Sequence, residues 1–371
     1  MQRRLIALIA SLITMAAPLF AQEFRTTKES VRVVTVARGL EHPWAIAFLP
    51  AGRMLVTERT GRLRVVGRDG ALSAPLAGVP AVVAQGQGGL LDVALDRDFA
   101  TNRTIYLSYA EAGEGGAGTA VARATLAESG LSDVRVIFRQ QPKGRGGLHF
   151  GSRIVQARDG NLFIVLGERF QRDRSQDLDT HLGKVVRIRP DGSVPPDNPF
   201  VGKPGALPEI WSYGHRNAQG AALHPRTGAL WMHEHGARGG DEINIPEAGR
   251  NHGWPVITHG IDYSGAKIGE GKFKAGMEQP IYFWDPSIAP SGMAFYAGDA
   301  FPAWRGHVFV GALRGQMLVR LELDGAKVLH EERMLQGLNE RIRDVRTGPD
   351  GLIYLLTDSA DGRVLRLEPV R

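Results

Sequence analysis

Short apolar runs recur along this chain, each entered through a turn and closed by a small or charged residue. They read "RMLVTE", "TIYLSYA", "NLFIVLGE", "ALWMHE", "HVFVGA" and "LIYLLTD". Before each stands a second apolar segment that ends near proline, glycine or aspartate: "AIAFLP", "DVALDRD", "RIVQARD", "GAALHP", "MAFYAG" and "DVRTGPD". Two β-type runs joined by a Gly/Asp turn predict a hairpin. Six hairpins of one phrase, spaced by roughly 45–80 residues, predict radial repetition. The expected fold is therefore all-β, a six-bladed β-propeller with four-stranded antiparallel blades. A β-sandwich is the competing architecture, but it does not require one hairpin phrase six times. The unequal spacing places insertions at 168–182 and 236–280. "QDLDTHLGKVV" has room for one helical turn. "VRVVTVAR", residues 31–38, precedes the first repeat and is expected to complete the last sheet.

Composition sharpens this picture. The 47 glycines among 371 residues exceed the average of about 7% and are spread along the chain, as many tight turns require. Residues 1–21 carry Arg3, Arg4, an apolar stretch and a small residue at Ala21, the pattern of a secretory signal peptide. The mature chain is then expected in the periplasm or outside the cell, with residues 31–371 as one propeller domain. No later stretch is apolar for long enough to span a membrane. With no cysteine, disulfides, thiolate catalysis and Cys-ligated metals are excluded. A net charge of +6, without a basic run, gives no reason to expect nucleic acid and suits an anionic small ligand or simple solubility.

Some motifs are decoys. "GEGGAG" (113–118) matches a dinucleotide pattern, but the alternating "TAVARATL" follows it, so no βαβ unit opens there. "SGAK" (264–267) lies in a turn-rich loop. "HEHG" (233–236) offers two histidines on one strand face and no third nitrogen ligand. Other residues form a more coherent set. Gln87 and His149 each sit among glycines just before an apolar strand, and Glu168 ends the strand that pairs with the His149 hairpin. A carboxylate on one imidazole nitrogen fixes the tautomer and raises the basicity of the other; a surface His and a surface Glu remain the plain alternative. Arg216 and Asn217 precede a further strand. Arg341 and Arg343 share one face of another, and Arg314 closes a third. Guanidinium groups on successive blades suit a ligand with several carboxylates, or else salt bridges between blades.

At these residues the chain resembles a known family. "GQGGLLDVALDRDF", "HFGSR", "IWSYGHRNAQG", "EHGARGGDEIN", "SGMAFY" and "RIRDVRTGPDG" are similar to segments of the soluble aldose sugar dehydrogenases, quinoproteins related to soluble glucose dehydrogenase that use pyrroloquinoline quinone (PQQ). The resemblance runs over roughly residues 35–368 and independently implies six blades with the quinone over the channel. It makes His149 the general base that takes the proton of the sugar's anomeric hydroxyl, and Glu168 the group that orients it. It assigns Gln87, His149, Arg216, Asn217, Arg314, Arg341 and Arg343 to the quinone, with Arg216 also polarising the carbonyl that receives hydride. It places a catalytic Ca²⁺ on the main-chain carbonyls of Gly236 and Ala237, and a second Ca²⁺ on Glu242 and the backbone of His252. Arg314, Ala237 and His252 depart from the frequent Lys, Pro and Tyr of relatives. The implied partners are an aldose and an external electron acceptor, a quinone or a redox protein; the implied assembly is a monomer or homodimer. A Ca²⁺-dependent propeller lactonase and a non-catalytic binding propeller are the rival readings. The first wants side-chain carboxylates around an axial metal; the second gives no reason to set His149 against Glu168.

Overall fold

A computed structural model describes residues 22–370; the leader expected at 1–21 lies outside the described residues. Six antiparallel sheets follow one another. Blade 1 holds Pro43–Phe48, Met54–Glu58 and Arg62–Val66. Blade 2 opens with Leu90–Leu95, blade 3 with Gly151–Gln156, blade 4 with Ala218–Leu223 and blade 5 with Pro290–Phe295. Blade 6 runs through Ile342–Thr347, Ile353–Thr357 and Gly362–Pro369, then takes Ser30–Leu40 as its next strand. The innermost strands touch in sequence, and that of blade 6 returns to that of blade 1, which closes the ring.

Ser30–Leu40 pairs antiparallel with Gly362–Pro369, with Val33 opposite Leu367 and Thr35 opposite Leu365. Residues 31–38 thus close the last sheet, as their pattern predicts. Strand number varies at this seam. Blades 2 to 5 have four strands, blade 1 has three, and blade 6 gains a fifth, Gln22–Arg25. The arc 67–89 of blade 1 carries only isolated bridges, Val66 to Leu72 and Ala77 to Gly130, where a fourth strand would lie.

The apolar runs are continuous rather than alternating because each blade is covered on both faces. In Leu162–Leu166 of blade 3, Leu162, Ile164 and Leu166 pack with Tyr106 and Val121 of blade 2. Phe163 and Val165 of the same strand pack with Leu230 and Met232 of blade 4. Such a cluster fills each of the six blade-to-blade seams. Toward the axis, charge replaces hydrocarbon. Arg153 of blade 3 donates to Asp92 of blade 2 at 2.7 Å and to Asp344 of blade 6 at 3.0 Å. Arg346 bonds the same two carboxylates at 3.1 and 3.0 Å. These buried ions find full partners, as burial of charge demands.

Every innermost strand carries a register shift near its start, at Pro43/Ala45, Leu90/Val93, Gly151/Ile154, Ala218/Gly220, Pro290/Met293 and Ile342/Asp344. A bulge bends the strand and re-aims the side chains beside it. All six lie at one end of the ring, where the chain also leaves each second strand. The loops at 167–183 and 245–281 widen this end, as expected. The only helical turn in the first of them is Arg172–Ser175, upstream of "QDLDTHLGKVV", most of which forms turns and the strand Lys184–Ile188. The 113–118 decoy is the turn between two paired strands, Thr104–Gly113 and Gly116–Leu126.

Candidate active site at the ring's rim

The start of an innermost strand and the end of its antiparallel neighbour share one rim. Gln87, His149, Arg216, Asn217 and Arg341 precede or open innermost strands; Glu168, Gly236 and Arg314 follow second strands. These eight residues therefore belong to the same end of the ring.

His149 is held from three sides. Its N–H donates to Gln87 Oε1 at 2.8 Å, and its Nδ1 lies 2.6 Å from Glu168 Oε2. Its carbonyl accepts Arg169 N at 3.3 Å. The chain approaches so closely here that a Cβ on Gly167 would meet the His149 carbonyl oxygen at 2.1 Å, so only glycine fits before Glu168. Glu168 N donates to Arg216 O at 3.0 Å, and Gly151 N donates to Asn217 Oδ1 at 3.2 Å, which ties blades 3 and 4 together under the imidazole. Burial pushes the His149 imidazole below the ordinary histidine range; Glu168 opposes that, and Arg216 and Arg169 reinforce it.

Arg216 is 4% exposed. Its Nη1 donates to His235 O at 3.0 Å and to Gly236 O, and its guanidinium stands 5.3 Å from the Trp254 ring centre. Across the rim, Arg343 donates to Gln219 Oε1 at 2.7 Å and, like the more exposed Arg341, to Asp358 Oδ2 at 3.3 Å. Burial draws the Arg343 guanidinium down to about 10, still charged at neutral pH. Burial works against the charged form of Asp358, but Arg343, Arg59 and Arg341 outweigh it and hold the carboxyl far below the usual range. Arg314 is exposed at the same rim, its N–H donating to Ile288 O at 3.1 Å.

The candidate metal positions surround Arg216. Gly236, Glu242 and His252 line one narrow cleft with Arg216 and Glu234. Ala237 lines the adjoining cavity of about 690 Å³, together with Glu168, Phe170, Arg216, Trp254 and Tyr263. Burial and then Glu234 push the Glu242 carboxyl well above its ordinary value, and Asn244 Nδ2 contacts both carboxylates at 3.0 and 3.4 Å. The His252 ring stacks on His215 at 4.6 Å, with neither nitrogen partnered. Among the described residues no three His, Asp or Glu side chains gather to hold a metal, so a cation here relies on main-chain oxygens as well.

Tyr282 and Trp284 stand on the outermost strand of blade 4 and both donate to Glu331 of blade 5. Sequence reasoning passed over Asp358, Arg59, Trp254 and Phe170. Asp358 had a legible signal: "LLTD" ends its second strand as "VLGE" ends that of Glu168. Trp254 and Phe170 lie in inserted loops without a repeat to reveal them.

Six antiparallel sheets close into a β-propeller, and one rim of the ring carries a carboxylate-backed imidazole and several guanidiniums. The chain belongs to the glucose/sorbosone dehydrogenase family, whose pattern matches residues 40–366. It is 52% identical to the aldose sugar dehydrogenase YliI of Escherichia coli (strain K12) over 346 residues, 92% of this chain and 93% of that protein. The crystal structure of the apo-form of the soluble Escherichia coli enzyme superposes with a TM-score of 0.90, covering 92% of this chain and all of that one. The PQQ-bound aldose sugar dehydrogenase of Streptomyces coelicolor is 31% identical, with a TM-score of 0.77 over 95% of this chain and 99% of that one. Quinoprotein glucose dehydrogenase B of Acinetobacter calcoaceticus is 26% identical over 97% of this chain and 94% of that protein.

Proposed function

We propose that this protein oxidises aldoses at C1 to the lactone, using PQQ and Ca²⁺ and passing electrons to an external acceptor. The observation that carries this reading is the 2.6 Å contact between His149 Nδ1 and Glu168 Oε2, set beside a large cavity and a cationic rim. The names of the relatives at 52% and 31% identity support the same chemistry.

The residues fit an acidic quinone. Arg216 Nε, Asn217 Nδ2 and Arg343 Nε are buried donors without a protein partner, and buried donors call for one. They come from two blades of the ring, four and six. The main-chain oxygens of Gly236 and Ala237 suit one calcium, a hard cation, and a second cation at Glu242 and the His252 backbone would relieve the Glu234–Glu242 repulsion. When bound, PQQ supplies a two-electron acceptor and Ca²⁺ a Lewis acid upon it.

Glu168 holds the proton of His149 on Nδ1, which leaves Nε2 free. Nε2 takes the proton of the anomeric hydroxyl as the C1 hydrogen departs with its electron pair, and the C1–O bond becomes the lactone carbonyl. Arg216, held against Trp254, keeps positive charge where negative charge grows. The axial carboxylates of Asp92 and Asp344 are taken up by Arg153 and Arg346, which favours this reading over a lactonase with an axial metal.

The test is reconstitution with PQQ and Ca²⁺, followed by dye-linked oxidation of a panel of aldoses. His149→Ala should lower turnover by roughly 10²–10⁴ while quinone binding persists. Inactivity of the wild type toward every aldose would overturn the function; unchanged turnover in the variant would move the base elsewhere.

A further inference from the structure

One large apolar side chain at the rim is held in the open by the backbone itself. Phe170 is 62% exposed and lines the 690 Å³ cavity. It and Arg169 both have left-handed backbones, with φ of +62° and +55°. For a phenylalanine this conformation is unfavourable, and it persists only where surrounding contacts over-determine it.

Those contacts are present. The Arg169 side chain is buried; it donates to the carbonyls of Gly146 at 2.7 Å, of Ala117 and Gly144 at 3.3 Å, and of Leu148. Its guanidinium lies 3.5 Å from the Phe150 ring centre. On the other side, Phe170 N donates to Glu168 Oε2 at 2.6 Å, the same oxygen that holds His149. The Phe170 ring stands edge-on to the imidazole, with centres 5.4 Å apart and planes at 61°. The backbone is thus clamped at both ends while the ring is left to solvent. Hydrophobic burial alone would turn the ring inward. Its exposure beside the base calls for an apolar ligand surface.

We infer that Phe170 is a specificity-determining wall that receives the C–H face of the aldose ring while His149 addresses the anomeric hydroxyl. The inference rests on the aldose dehydrogenase reading above. A pyranose with equatorial hydroxyls is polar around its edge and apolar on its faces, so one edge-directed base and one flat ring beside it match both surfaces. Tyr263, 65% exposed and lining the same cavity, offers a second aromatic surface beyond the first sugar ring.

The experiment compares wild type, Phe170→Ala and Phe170→Trp, each loaded with PQQ and Ca²⁺, on glucose and on galactose, whose axial hydroxyl breaks one face. Phe170→Ala should raise the KM for glucose about 5- to 10-fold, the scale of one aromatic contact. The rise for galactose should differ from that for glucose, because its axial hydroxyl roughens one face and clears the other, and kcat should stay within about twofold for both. Phe170→Trp should restore the glucose KM. Calorimetry of glucose binding should show the same loss of affinity without turnover. If Phe170→Ala lowers kcat and leaves KM unchanged, the ring positions His149 and the wall is wrong; equal rises for both sugars also overturn it. A wild type that oxidises no aldose overturns the dehydrogenase reading and the wall with it, whereas an active wild type with an unmoved variant KM overturns the wall alone.

Discussion

Glu168 Oε2 and His149 Nδ1 are 2.6 Å apart, one residue just after Leu162–Leu166 and the other just before its partner strand Gly151–Gln156, at one rim. The carboxylate fixes which nitrogen carries the proton. Glu168→Ala should therefore lower kcat by about 10² or more, as wrong-tautomer variants of His-assisted enzymes do. Glu168→Gln, which still offers an acceptor oxygen, should lose less. PQQ affinity, titrated by fluorescence, should be unchanged in both; a parallel loss of cofactor would assign Glu168 to the quinone instead.

The pH profile follows from the same pair. Burial holds the His149 pKa below the ordinary 6.5, so the base takes up its inactivating proton at lower pH than a free imidazole does. The acid limb of kcat/KM should fall below pH 6.5. Because Glu168 raises that pKa, Glu168→Gln should move the limb further toward acid. For stability the sign is equally fixed. Below pH 6.5 the unfolded histidine takes up its proton first, so this contribution is intact above 6.5 and declines as pH falls toward the folded value. Equilibrium unfolding between pH 7 and 5 should show a shallower decline in His149→Asn than in wild type.

Asp358 binds two arginines through one oxygen. Asp358→Asn frees both, and Arg343→Ala removes the buried one. Loss of a charge-assisted hydrogen bond should weaken PQQ binding about 10- to 100-fold in Arg343→Ala and less in Asp358→Asn. The aldose KM at saturating quinone should stay put. A change confined to KM would place this side of the rim on the sugar.

Arg153 satisfies carboxylates from two other blades at the axis. Arg153→Leu leaves Asp92 and Asp344 buried with only Arg346 between them. Breaking such a set should destabilise the fold by about 3–5 kcal/mol, read as a shifted denaturant midpoint. A neutral outcome would mean that water replaces the guanidinium.

The ring was legible because its cause is repetition. Each blade must bury both faces, so each second strand is a solid apolar run such as "LFIVL", and six such runs can be counted. His149, Glu168 and the arginines were legible because they interrupt that repetition at one fixed place, the strand end. What stayed hidden has no period. Trp254 and Phe170 lie in loops whose course depends on long-range contacts, such as Arg169 reaching back to Ala117. The missing fourth strand of blade 1 was hidden too, since residues 67–89 contain turn signals but no tell-tale gap in hydropathy.

Closure of the circle by Ser30–Leu40 against Gly362–Pro369 joins segments made more than three hundred residues apart. Folding cannot finish blade by blade as the polypeptide emerges. An early-made edge must wait, unpaired, until residues 362–369 arrive. During that interval it is a surface on which a neighbouring chain could anneal, and a nascent protein of this design has reason to be escorted.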